Sequence, residues 1–133
     1  MKPRMIIPML VCEDPGAEIE FCRRAFGATV ISRRESEDGS VVHATLQIHD
    51  SLIMVHDVSP HLASRAPRSD GSSPVVTYLY GDEVDPVIER AVAAGARVLM
   101  PAQDQFWGDR VGRIVDPAGH VWNVACRIEE EGA

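Results

Sequence analysis

"IEFCRRAFGATVI", from Ile19 to Ile31, and "IERAVAAGARVL", from Ile88 to Leu99, are two writings of one pattern. Each opens Ile-Glu, follows an apolar stripe at helical spacing, and closes on Gly-Ala-x-Val and an aliphatic residue. The isoleucines lie 69 positions apart and the glycines 68. A period of that length exceeds the solenoid repeats and points to duplication of a supersecondary unit.

The flanks of both copies carry the same order of signals. In the first, Ile6 to Val11 is an apolar run of strand length. Asp14-Pro15 supplies an N-cap and a proline at the first helical position. The helix is expected to bury Ile19, Cys22, Ala25 and Phe26, with Gly27 as the left-handed residue beyond its end. Val30 to Arg33 starts a second strand, and Ser36 to Ser40 is a polar turn. Val41 to Ile48 alternates, with Val42, Ala44, Leu46 and Ile48 on one face and His43, Thr45 and Gln47 on the other. Asp50-Ser51 turns into a last strand, Leu52 to His56.

The second copy begins with Val75 to Tyr80. Asp85-Pro86 opens a helix that buries Ile88, Ala91 and Val92 and stops at Gly95. Arg97 to Met100 is a strand ended by Pro101. Arg110 to Val115 and Val121 to Cys126 form a hairpin across Asp116-Pro117-Ala118-Gly119, a type I turn. The expected fold class is α+β, two βαβββ modules forming a curved, partly closed mixed sheet in one domain, 1–133. Module one covers 4–57 and module two 74–128. The linker, 58–73, is rich in Ser, Pro, Asp and Gly, and its length suits a mobile loop or lid. The segment 129–133 is expected to fray.

Composition bounds the function. A chain of 133 residues, 45% hydrophobic and 25% charged, fits one soluble globular domain. No apolar run is long enough for a membrane span, and the first residues lack the apolar region of a signal peptide. Cys12, Cys22 and Cys126 are an odd set without metal spacing, so free thiols in the cytoplasm are expected. A net charge of −7 without a Lys/Arg cluster argues against a nucleic-acid partner and slightly favours a cationic small molecule. No nucleophile elbow or phosphate-cradling glycine loop occurs.

Three motifs go further: Ile19-Glu20-Phe21 through Phe26-Gly27-Ala28, then Phe106-Trp107-Gly108-Asp109-Arg110, then Asp116-Pro117-x-Gly119-His120-x-Trp122. With them the chain resembles the vicinal oxygen chelate superfamily, which groups glyoxalase I, bleomycin-resistance proteins and extradiol dioxygenases. Within it the chain looks most like the PhnB-like branch. The resemblance implies paired modules, a cavity on the concave side of the sheet, and a homodimer. In the superfamily's metal enzymes, four strands each offer His, Glu or Gln to one divalent ion. Alignment puts those positions at Ile7, Met54, Val76 and Asn123, and the 69-residue repeat pairs them the same way. Ile and Val have no donor atom, a thioether is soft, and an amide offers one weak oxygen. No metal and no cofactor are therefore expected there.

The candidate ligand-binding residues are Met9, His43, Thr45, Met54, His56, Tyr78, Tyr80, Trp107, Arg110 and Asn123. Met9 and Met54 would give an adaptable floor. Tyr78 and Tyr80 share a face with Val76 and would line the cavity. Trp107 stands outside any core stripe and can stack a flat guest or a cation. Arg110 can fork a carboxylate or phosphate. The alternative for these two is an Asp109–Arg110 ion pair with Trp107 capping the barrel mouth. His43 is the candidate acid–base group, and His43 with His56 is a candidate displaced metal site; the alternative is a wet sheet face. Trp122 belongs to the core, and His120 serves structure. The expected function is metal-independent binding of a small molecule, such as sequestration of a toxic or antibiotic-like compound. The alternative is a lyase, isomerase or dioxygenase using the displaced metal site or histidine acid–base chemistry.

Overall fold

Asp14 and Gly27 bracket the first helix as their chemistry requires. The Asp14 carboxylate accepts the Ala17 N–H at 3.2 Å, a cap that contributes about 1 kcal/mol. Gly27 has φ 69°, and its N–H returns to the Arg23 carbonyl. The structure, a computed structural model, describes residues 2–68 and 71–128. The segment 129–133 lies outside the described residues.

Module one runs β1 (Met9–Cys12), α1 (Pro15–Phe26), β2 (Thr29–Glu35), β3 (Val41–Ile48) and β4 (Ser51–Asp57). Module two runs β5 (Val76–Tyr80), α2 (Asp85–Ala93), β6 (Arg97–Asp104), β7 (Asp109–Val115) and β8 (Val121–Arg127). The sheets are ordered β1-β4-β3-β2 and β5-β8-β7-β6, and in each the first strand pairs parallel with the last. The duplication extends to register: Met9 faces Met54 and Tyr78 faces Asn123, each residue 69 positions from its counterpart. The sheets remain two separate four-stranded units and do not close into a barrel. No helix among the described residues is long and apolar enough to cross a membrane.

Both helices cover the same side. They touch each other, with Arg24 donating to the Ala93 carbonyl at 3.3 Å. One core therefore serves both modules, joining Leu46, Val55 and Phe26 to Ile88, Ile114 and Trp122. The Phe26 ring lies 4.7 Å from the Trp122 ring, across the module boundary. Burying each such side chain contributes about 1.5–3 kcal/mol.

Several local expectations are corrected. β1 begins at Met9 rather than Ile6, because Pro8 has no N–H and joins the sheet only through its carbonyl, which accepts from Met54. Val41, not Val42, enters the core, since a register shift beside Arg34 and Glu35 turns the strand start by one residue. Pro101 does not end β6. That strand is an edge, where a missing N–H breaks no ladder, and the pairing steps from Met100 to Gln103 around it. Val92 faces solvent, and the Asp85 carboxylate caps nothing because Arg110 holds it.

Gly112 marks where α2 crosses β7. A methyl there would overlap Ile88 Cδ1 and press on the Ala102 backbone. Gly112→Ala is expected to cost about 1–3 kcal/mol by overpacking, read as a lower urea midpoint at unchanged slope. A variant as stable as the parent would show that Ile88 moves aside freely.

Candidate functional site

Strand alternation sets which side chains meet opposite the helices. On the first sheet, Met9 faces Met54, Val11 faces His56, His43 faces His56 and Thr45 faces Met54. These residues share one face. The two imidazoles bring Nδ1 to Nδ1 at 3.0 Å. One ring must donate and the other accept, so the pair holds no more than one proton on that contact. Burial, then His56 and Arg34, lowers the His43 pKa.

The second sheet carries a tighter cluster. Asp109 is fully buried, and its Oδ2 accepts from Tyr78 at 2.7 Å, Tyr80 at 2.5 Å and Trp107 Nε1 at 3.2 Å. Its Oδ1 accepts from Arg127 at 2.9 Å. Burial alone would push this carboxyl up, but the four donors outweigh burial and hold its pKa at about 2. Burial and the Asp109 contact push Tyr78 up to about 12, and donation to Asp109 raises Tyr80. Both phenols are protonated donors at neutral pH, with their hydroxyls engaged. A guest would meet their ring faces.

Asp109 and Arg110 point to opposite faces of β7, so they do not pair with each other. Arg110 forks the Asp85 carboxylate at 2.9 and 3.0 Å and takes Asp104 at 3.0 Å, which commits three of its five N–H donors on the α2 side. Asp109, Arg127 and Arg113 were missed as site residues. The first two are direct partners at the ends of β7 and β8, one residue beyond the strand limits read from the sequence.

The four strand positions that would hold a metal do not fit one. Ile7 and Val76 offer no lone pair and Met54 a thioether. The single useful oxygen, Asn123 Oδ1, accepts from Arg113 Nε at 2.7 Å, so a fixed cation already lies against it. A hard divalent ion would be repelled there.

Between β1, β5 and the segment that follows β4 lies a cavity of about 1010 Å³. Met9, Val11, Tyr78 and His120 form its walls, with Arg65 and Arg68 contributed by the linker. Neither arginine is in an ion pair with a described residue. Among the described residues the rim is therefore cationic although the chain is acidic, because net charge sums over the whole surface and a rim does not. Met9 and Tyr78 are the expected site residues that line this cavity. His43, Thr45, Met54, His56, Tyr80, Trp107 and Asn123 occupy the adjoining sheet faces without lining it, and Arg110 lies on the opposite side. His120 donates Nε2–H to the Val11 carbonyl, 2.9 Å away, and so ties module two to β1.

Comparison with known proteins agrees with this architecture. The sequence model of the Glyoxalase/Bleomycin resistance protein/Dioxygenase superfamily matches residues 5–124. The uncharacterized protein Mb0911c of Mycobacterium bovis is 37% identical over 126 residues, covering 92% of this chain and 83% of that protein. TioX from Micromonospora sp. ML1 superposes with a TM-score of 0.74 at 25% identity, covering 94% of this chain and 99% of that one. The Arabidopsis thaliana gene product At5g48480 does so with a TM-score of 0.74 at 27% identity, covering 93% and 99%.

Proposed function

The chain belongs to the glyoxalase/bleomycin resistance protein/dioxygenase superfamily, and from that premise we propose that it is a metal-independent binding protein of the PhnB-like branch. Its guest is a small, largely apolar molecule bearing an acidic group, held as a toxic or antibiotic-like compound would be sequestered. The observation that carries this reading is the cavity between β1 and β5, with an apolar floor at Met9, an aromatic wall at Tyr78 and, at its rim, Arg65 and Arg68, which have no ion pair among the described residues. Apolar burial would supply the affinity and the arginines the orientation. The Arg113–Asn123 contact supports independence from a metal at the strand positions.

The Phe106-Trp107-Gly108-Asp109-Arg110 motif supports the branch. Phe106, 94% exposed beside Trp107, suits cover by a second subunit, so the binding unit is a homodimer. The free thiols of Cys12, Cys22 and Cys126 suit a cytoplasmic setting.

Calorimetry with aromatic carboxylates in the presence of a chelator tests the proposal. Binding is expected without added metal. Arg65→Ala or Arg68→Ala should each weaken it about tenfold, equivalent to roughly 1.4 kcal/mol. Trp107→Ala, which removes a support of Tyr78, should weaken binding more than it lowers stability. Binding that appears only with a divalent ion, or chemical turnover of the probe, would reject the reading.

The His43–His56 contact favours a second reading, in which a neutral His43 acts as a general base on a guest spread across the first sheet. Turnover lost in His43→Gln would select it.

A further inference from the structure

On the helix side of the first sheet, α1 carries a group that the cavity does not use. Glu18 lies four residues before Cys22, on the buried stripe, and is 1% exposed. Ionised, neither of its carboxyl oxygens has a donor among the described residues; protonated, it can donate to the Asp116 carboxylate. A buried carboxylate without a donor is costly, so burial and the Asp116 contact keep Glu18 protonated unless a cation takes the place of that proton. Its neighbour is another acid. Asp116 stands beside it, with Oδ1 already accepting from the Ala118 and His120 N–H groups and Oδ2 from Trp122 Nε1. Asp116 therefore adds negative charge without offering a donor of its own.

Two further groups converge here. The Cys12 sulfur, a Glu18 oxygen and a His120 ring nitrogen lie within 4.8 Å of one another. They come from β1, α1 and the β7–β8 turn, and hence from both modules.

We propose that Cys12, Glu18 and His120 form a binding site for one zinc ion at the junction of the two modules. Thiolate, imidazole and carboxylate together suit a borderline-soft divalent ion, whereas magnesium and calcium favour all-oxygen shells. Zinc–ligand bonds of about 2.0–2.3 Å need the donors closer than they now stand, by roughly 1 Å, within reach of side-chain rotation. When His120 donates Nε2–H to Val11, the ring lone pair is on Nδ1, and a backbone carbonyl is a usual partner for fixing a metal-binding imidazole. Coordination displaces the Cys12 and Glu18 protons to solvent. Two protons leave as two positive charges arrive, so the cluster remains neutral in the core. Asp14, Asp57 and Asp116 surround Cys12 with negative charge that attracts the ion. Leu10, Val11 and His120 also line the large cavity, which therefore adjoins the cluster. The site lies on the opposite side of β1 from Met9 and is distinct from the four strand positions. It does not depend on the proposed guest.

The full chain, stripped with chelator and dialysed, is titrated with zinc alone against a competing indicator, with thermal stability read in parallel. One equivalent per chain and a higher melting temperature are expected. Cobalt substituted for zinc should give a thiolate charge-transfer band. Glu18→Gln, which keeps the shape and removes the buried acid, and Cys12→Ser should each lower zinc affinity at least about 100-fold. Glu18→Gln keeps the test open if Cys12→Ser fails to fold. Three results would overturn the proposal: no zinc uptake and no thermal shift in the parent, zinc retained by Glu18→Gln, or zinc lost on His43→Gln instead.

Discussion

Asp109→Ala is expected to destabilise the protein by about 3 kcal/mol, because it removes a buried, hydrogen-bonded carboxylate that organises four donors. For a domain of this size that corresponds to a melting temperature lower by roughly 10 °C. The same change frees Tyr78, Tyr80 and Trp107, so the aromatic wall beside the cavity loses its fixed geometry and guest binding falls with it. A pH series separates the carboxylate from its packing. The folded pKa of Asp109, about 2, lies below its ordinary value of 3.8. A depressed carboxyl stabilises the fold fully above the unfolded pKa, and that contribution is lost as pH falls through the folded one. The stability difference between the parent and Asp109→Asn should therefore shrink from about pH 4 towards pH 2. Chemical denaturation across that range measures it. A difference that stays constant with pH would mean the ion pair and its donors contribute little.

Trp122→Ala should have the largest effect on folding, about 3–5 kcal/mol. The side chain is 1% exposed, packs on Phe26 of the other module, and donates Nε1–H to Asp116 Oδ2 at 2.9 Å. Truncation opens a cavity at the module boundary and removes a donor from a buried acid. Trp122→Phe, which keeps a ring and loses the N–H, isolates the second part at about 1–3 kcal/mol. Because the two modules share one core, both variants should still unfold in a single transition, at lower denaturant. Two resolved transitions in either variant would show that the modules are separately cooperative, and the Phe26–Trp122 contact would then not be what couples them.

The residues differ in how legible they were. Asp14, Pro15, Gly27 and the turn at Asp116 act on neighbours a few positions away, so their roles could be read directly. His43 and His56 were placed together by parity alone, and they do meet. Val41 and Val42 exchanged roles because a register irregularity changes parity without leaving a mark in the apolar pattern. Asp109 and Arg110 are adjacent and opposite in charge, which suggested a pair; a strand sends such neighbours to opposite faces, and each found a partner elsewhere. Glu18 falls on the helical stripe with Ile19 and Cys22. No sequence signal singled it out, and only the packing of α1 against β1 and the β7–β8 turn buries it.

From its sequence alone, the chain determined a duplicated βαβββ order, the ends of its helices, and strand positions without metal-binding side chains. Those follow from local periodicity, caps and donor chemistry, which act over a few residues. Tertiary structure decided which carboxylate meets which guanidinium, where the large cavity opens, and that Cys12, Glu18 and His120 converge. Such contacts join residues up to 108 positions apart and depend on sheet register and on how two helices pack, which no short stretch of sequence encodes.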